Sequence, residues 1–205
     1  MTSPHGISPA ALRRELRARR RAIPTVDRDL AAARLAVFAD RARLLRPGRR
    51  IALYLPLPEE IDTRALMERA RRRGCVIHLP RVVDTRSNRM VFVDARAPLR
   101  RSQWGILEPT GSARVPTRSL EVVFMPLVGF DDQGNRLGMG KGFYDRAMSF
   151  RLRHPRSRRP LLVGIAFECQ RVQSLPSRPH DVPLDVLITE RGFHRFPARH
   201  PTLES

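Results

Sequence analysis

The residues best equipped for chemistry lie in one run, Asp131-Asp132-Gln133-Gly134-Asn135-Arg136-Leu137-Gly138-Met139-Gly140-Lys141-Gly142-Phe143-Tyr144-Asp145-Arg146. It combines glycines, cations and carboxylates. Glycines let backbone N–H groups approach an anion closely, Arg136 and Lys141 supply positive charge, and Asp145 is placed to bind the magnesium that accompanies a phosphorylated ligand. Lys141 is the only lysine in a chain that otherwise uses arginine. Either it survives by chance or position 141 needs a compact ammonium rather than a planar fork.

Neither common phosphate motif fits this run. Five residues separate Gly134 from Gly140-Lys141 where a P-loop has four, and Gly142 stands where that motif needs Ser or Thr for Mg²⁺. Gly138, Gly140 and Gly142 alternate strictly, and Phe143 stands where a dinucleotide fingerprint needs its third glycine. The apolar run Val122 to Val128 before the loop has the length of a buried strand, and 143–153 after it can form a helix. Strand, long loop and helix in this order place the glycines where an open α/β sheet binds its ligand. A mobile glycine turn is the bland alternative.

The elements that must position this loop read as follows. Ser8-Pro9 offers a cap and an N1 proline, and Leu12, Leu16 and Ile23 share one face of a helix ending near Pro24. A second helix is expected from Asp27 to Leu44, then a strand at 51–55, a helix at 63–73 ended by Gly74, and a strand at 75–79. Further strands are expected at 90–93, 121–127, 161–167 and 185–189. This alternation predicts a single α/β domain over 8–192, a largely parallel, Rossmann-like open sheet flanked by helices. Residues 1–7 and 193–205 lack apolar periodicity and are expected to be flexible ends.

At 205 residues and 41% hydrophobic content the chain can bury one sizeable core without disulfides or structural metals. No apolar run is long enough to cross a bilayer and the N-terminus lacks a signal-peptide core, so a cytoplasmic protein is expected. Cys75 and Cys169 read as packed, inert thiols inside strands. The formal charge of +19 invites a nucleic-acid reading. Aromatic content is only 6%, however, and the arginines spread from Arg13 to Arg199. A solvated arginine-rich surface with no dedicated nucleic-acid partner is the expectation, and steering of polyanionic substrates its consequence.

Further motifs become informative together: Tyr54-Leu55-Pro56-Leu57-Pro58-Glu59-Glu60-Ile61-Asp62-Thr63, Leu79-Pro80-Arg81-Val82, Trp104-Gly105-Ile106-Leu107-Glu108-Pro109 and His180-Asp181-Val182-Pro183-Leu184-Asp185. With the glycine loop, and in this order, the set resembles the 5-formyltetrahydrofolate cyclo-ligase family over roughly Leu12 to Gly192. The resemblance implies an ATP- and Mg²⁺-dependent ring closure. The formyl oxygen of 5-formyltetrahydrofolate, with or without a polyglutamate tail, is phosphorylated; N10 attacks the activated carbon, and phosphate leaves to give 5,10-methenyltetrahydrofolate and ADP. Such a reaction asks the protein for positioning and charge neutralisation. A monomer is expected.

By the same resemblance, Arg13 and the stretch Arg136, Leu137, Gly138, Met139, Gly140, Lys141, Gly142, Phe143 and Tyr144 bind ATP. Lys141, Arg136 and Tyr144 carry the catalytic roles, and Asp145 and Asp181 hold magnesium. Leu55, Glu60, Trp104 and Tyr144 contact the folate. From the residues alone, Asp145 reads equally as a first-turn helix acid, Asp181 as a turn residue, Glu60 as a cap, and Trp104 as core. One departure stands out. The family commonly places a lysine four residues before the position of Arg13, and here that residue is Pro9; Arg14 and Arg17 are the substitutes the sequence offers for the missing contact.

Overall fold

A computed structural model describes residues 8–102, 105, 107–154 and 159–197. The chain opens with α1 (Pro9–Arg21), whose first turn is capped by Ser8 Oγ accepting the Ala11 N–H at 3.2 Å, with Pro9 at N1. α2 (Thr25–Arg41) follows at once. Then come β1 (Arg50–Ala52), α3 (Arg64–Arg72), β2 (Val76–Asp84), β3 (Arg89–Asp94), β4 (Leu99–Arg101), β5 (Leu107–Pro109) and β6 (Arg114–Val115). The second half holds β7 (Val122–Pro126), β8 (Gly129–Phe130), β9 (Arg136–Leu137), α4 (Phe143–Met148), α5 (Phe150–Arg153), β10 (Leu161–Ile165), β11 (Val186–Thr189) and β12 (Gly192–Arg195).

Eight strands form the main sheet in the order β12-β11-β10-β7-β1-β2-β3-β6. The five inner strands from β11 to β2 are parallel, and β12, β3 and β6 close the edges antiparallel. Alternate residues of the buried strands serve two cores, as a pleat with helices on both faces requires. Ile51, Phe124, Val163 and Ile188 pack under α2 and α3 residues such as Leu35 and Leu66. Ala52, Val123, Met125 and Leu187 pack against Met148 of α4 and Phe150 of α5 on the opposite face. The expected largely parallel α/β sheet is present.

Several boundaries differ from expectation, for physical reasons. β2 runs through Pro80 to Asp84 where the sequence reading ends it at Leu79. β1 pairs only with Val76 to His78, so beyond that point one side of β2 has no ladder in which the missing proline N–H would be needed. The expected helix 143–153 is broken at Ser149 into α4 and α5. The sheet also continues past Gly192: β12 pairs Val186↔Arg195 through Thr189↔Gly192 with β11, so the ordered fold extends beyond the expected boundary. Neither cysteine lies in a strand. Cys75 precedes β2, Cys169 sits in a 3-10 turn at Glu168–Gln170, and burial pushes both thiols up, in keeping with inert side chains.

Candidate active site

The chain leaves β1 through α3 toward β2 on one side, and leaves β7 through α4 and α5 toward β10 and β11 on the other. The strand order therefore reverses between β1 and β7, and the crevice outside their carboxyl ends is where open α/β sheets bind ligands. The segments that begin there are 53–61 after β1 and the glycine run after β7.

α1 lies across this crevice. Leu16 is fully buried against Val128, Leu137 and Leu175, a contact worth about 2 kcal/mol. Arg13, Arg17 and Arg20, spaced four and three residues apart, fall on one face of the helix. Arg13 Nε donates to Gly138 O at 2.7 Å, within the glycine loop. Arg17 Nε and Arg20 Nη2 donate to Glu59 Oε1 at 2.6 and 2.8 Å, and Arg21 reaches Glu59 Oε2 at 3.2 Å. Arg20 is 1% exposed and also donates to Leu127 O, the first residue after β7. Burial would raise the Glu59 carboxyl, yet the three guanidiniums hold it below the usual range. The Arg17–Arg21 run is thus a structural rivet between α1 and the β1 end, and only part of it is a solvated surface. Arg17 is not free to replace the contact missing at Pro9.

β8 and β9 form a short hairpin whose tip is tied by Asp131, a fully buried carboxylate that sequence reasoning passed over. Its Oδ1 accepts the Gln133 and Asn135 amides at 3.0 and 2.9 Å, and its Oδ2 accepts Asn135 Nδ2 at 2.8 Å and the Leu175 amide at 2.9 Å. An aspartate two residues before a donor is the signature of an Asx turn, the signal that could have found it.

From Gly138 to Gly142 the backbone is neither strand nor helix, with φ of +96° at Gly140 and +67° at Gly142. Only glycine enters this region without strain. α4 is six residues long, so anion binding here rests on loop amides and cations more than on a helix dipole. Lys141 is exposed at the loop's crest and forms no ion pair among the described residues. Arg136 is engaged differently: its side chain is 6% exposed, and its terminal nitrogens donate to Val182 O and Asp145 Oδ1. Val182 N–H also donates to Asp145 Oδ1 at 3.1 Å. This bond ties the backbone next to Asp181, the other expected metal ligand, to Asp145. Asp181 Oδ2 accepts the Arg178 amide at 2.9 Å, while His180 is exposed and 3.9 Å from Oδ1.

Across the crevice, Glu60 is half-buried and accepts the Leu57 N–H at 3.0 Å, a turn contact in place of the helix cap; Asp62 instead takes the Arg64 amide at 2.8 Å. Burial raises the Glu60 carboxyl, opposed by the Leu57 hydrogen bond and the Arg20 charge. Burial and then the Glu60 charge push both the Tyr54 and the Tyr144 hydroxyl well up, so Glu60 from the β1 end and Tyr144 from α4 lie within electrostatic reach of each other. Leu55 is half-buried against the core beside them. Phe143 packs into the core under α4, Leu137 is buried with Leu16, and Met139 is 48% exposed. Trp104 lies outside the described residues.

The model of the 5-formyltetrahydrofolate cyclo-ligase family matches residues 7–190. A 5-formyltetrahydrofolate cyclo-ligase of Haemophilus influenzae is 36% identical over 148 residues, covering 70% of this chain and 77% of that protein. The Mus musculus cyclo-ligase is 29% identical over 188 residues, 87% of this chain and 92% of its own. Among solved structures, the 5,10-methenyltetrahydrofolate synthetase of Aquifex aeolicus superposes with a TM-score of 0.75 at 27% identity, covering 97% of this chain and all of that one. Glycine loop, switch-point crevice, matched span and shared fold agree, and the chain belongs to the 5-formyltetrahydrofolate cyclo-ligase family of enzymes.

Proposed function

We propose that this protein uses ATP and Mg²⁺ to cyclise 5-formyltetrahydrofolate to 5,10-methenyltetrahydrofolate, releasing ADP and phosphate. The observation that carries this reading is convergence. Arg13 from α1 is hydrogen-bonded to the glycine loop, whose glycines adopt left-handed conformations, and Glu60 lies within electrostatic reach of Tyr144 in the helix that follows, so an anion cradle and a half-buried acceptor for ring N–H groups adjoin one loop–helix segment.

The residues present fit both groups. The glycine conformations and the two cations, Lys141 and Arg13, suit a polyphosphate, and Gly138 and Gly142 leave open space where a Cβ would stand. Asp145 and Asp181 each spend one oxygen on internal donors and offer the other to a cation. Among the described residues no group of three or more His, Cys, Asp or Glu surrounds a metal position, which suits an ion that completes its shell with water and phosphate oxygens. Bound Mg²⁺ and ATP would supply charge neutralisation and the transferable phosphoryl group. Arg136 holds the loop in place, Lys141 neutralises charge on the transferred group, and Glu60 accepts hydrogen bonds from the folate ring. The formyl oxygen forms its bond to phosphorus as the bond to ADP breaks; N10 then bonds the formyl carbon and gives up its proton to solvent, and phosphate departs with that oxygen.

The test is whether purified protein with Mg²⁺ forms the methenyl chromophore from 5-formyltetrahydrofolate only when ATP is added. ATP-dependent product supports the assignment. Bound ATP without product moves the search to another acceptor.

A further inference from the structure

Two arginines near the glycine loop, Arg13 and Arg178, form no ion pair among the described residues. Arg13 donates to Gly138 O, and its Cζ lies 3.4 Å from the point a Cβ on Gly140 would occupy. Arg178 opens the turn 178–181: its amide donates to Asp181 Oδ2 at 2.9 Å and its carbonyl accepts the Asp181 amide at 3.0 Å. The next residue, Val182, is fixed to Asp145 through its amide and to Arg136 through its carbonyl. The turn is thereby tied to Arg136 and Asp145, which bracket the glycine loop, and Arg13 is tied to the same loop at Gly138.

Among the described residues neither Arg13 nor Arg178 forms an ion pair, whereas Arg17, Arg20, Arg21 and Arg136 are all matched to carboxylates. Burial lowers the Arg13 pKa, and the Arg178 charge lowers it further. Two guanidinium charges within reach of one another repel, and an entering anion relieves that repulsion.

We propose that Arg13 and Arg178 are the two jaws of a polyphosphate clamp over the glycine loop, which makes Arg178 a nucleotide-binding residue supplied by the connection between β10 and β11. This rests on the ATP assignment above and adds a residue to it. Arg178 brings the charge that Pro9 does not, and a guanidinium fork suits phosphate oxygens.

Calorimetric titration of the wild type, Arg178→Gln and Arg178→Lys with ATP and, separately, with inorganic tripolyphosphate, both with Mg²⁺, tests the clamp. Arg178→Gln is expected to raise both Kd values by about tenfold, the loss of one charge-assisted hydrogen bond, and Arg178→Lys to recover part of it. The KM for the folate stays unchanged. Equal Kd values for wild type and Arg178→Gln overturn the clamp, as does a wild type that binds no tripolyphosphate. Tripolyphosphate binding that depends on Arg178 without any binding of ATP keeps the clamp and removes the nucleotide assignment.

Discussion

Arg136 and Asp145 are paired across the glycine loop, and the Asp145 oxygen that receives Arg136 also receives the Val182 amide. The loop is therefore closed at its base by one carboxylate. Asp145→Ala removes this closure and leaves a nearly buried guanidinium without its partner. A cost of about 2 kcal/mol is expected, below that of a fully buried pair because Asp145 keeps some solvent contact. Turnover should fall by at least about a hundredfold. Denaturant unfolding read beside the Mg²⁺ dependence of turnover checks both. A variant with wild-type stability and activity would remove Asp145 from the loop and the metal alike.

Lys141 presents the opposite case, an exposed cation with no ion pair among the described residues. Lys141→Ala should leave stability within about 0.5 kcal/mol of the wild type and abolish turnover. Thermal melting and a product assay separate the two effects; substantial ATP-dependent activity would take Lys141 away from the transferred phosphoryl group.

Glu60 links function to pH. Burial raises its pKa above the ordinary 4.5, so from about that pH upward the folded state binds more protons than the unfolded chain. Stability from this group is present below 4.5 and is lost as pH rises through the raised folded value. Glu60→Gln keeps an acceptor for the Leu57 amide and cannot ionise, so it should melt higher than the wild type at neutral pH, with the difference vanishing in acid. It should also raise the folate KM by about tenfold with a smaller effect on kcat. An unchanged KM would confine Glu60 to shaping its turn.

Much of the fold is legible in the sequence, because apolar runs at 51–55, 122–128, 161–167 and 185–189 are long enough to mark buried parallel strands, and Gly74 and Ser8-Pro9 punctuate helices. What escaped is what depends on neighbours. Pro80 looks like a strand end until β1 is seen to stop beside it, and β12 has no apolar pattern because its residues are largely exposed on an edge. At the site, the glycine loop and its acids were visible as a string of chemistry-bearing residues. The division of labour among the arginines was not. Arg17 and Arg136 read as phosphate contacts until Glu59 and Asp145 are seen to occupy them, while Arg178 stands far along the chain from the glycine loop and is linked to it through the tie between Val182 and Asp145.

Asp131 makes a sharp test of the hairpin that carries the loop, because all its side-chain partners are donors. Asp131→Asn replaces one acceptor oxygen by an amide that confronts the Leu175 or Asn135 N–H group. The asparagine variant should therefore lose nearly as much stability as Asp131→Ala, about 3 kcal/mol in each case. Urea unfolding of both variants decides. An asparagine variant close to the wild type would show that the oxygens do not each need to accept.

Gly129 tests whether α1 positions the site. It begins β8, and a Cβ there would come within 2.5 Å of Leu16 Cδ1, the side chain that seats α1 on the core. Leu16 is fully buried and cannot turn away into solvent, so the strain in Gly129→Ala passes to the helix itself. Arg13 lies one turn before Leu16 and is held to Gly138 by a single hydrogen bond, the contact most exposed to a shift of α1. The variant should lose about 1–3 kcal/mol and raise the KM for ATP several-fold, with the folate KM nearly unchanged because Glu60 sits on the β1 side of the crevice. Pairing it with Leu16→Ala, which removes the clashing methyls, should restore much of the ATP KM even though the core remains weakened. Failure of that second change to restore nucleotide affinity would mean that α1 stabilises the crevice without setting the position of Arg13.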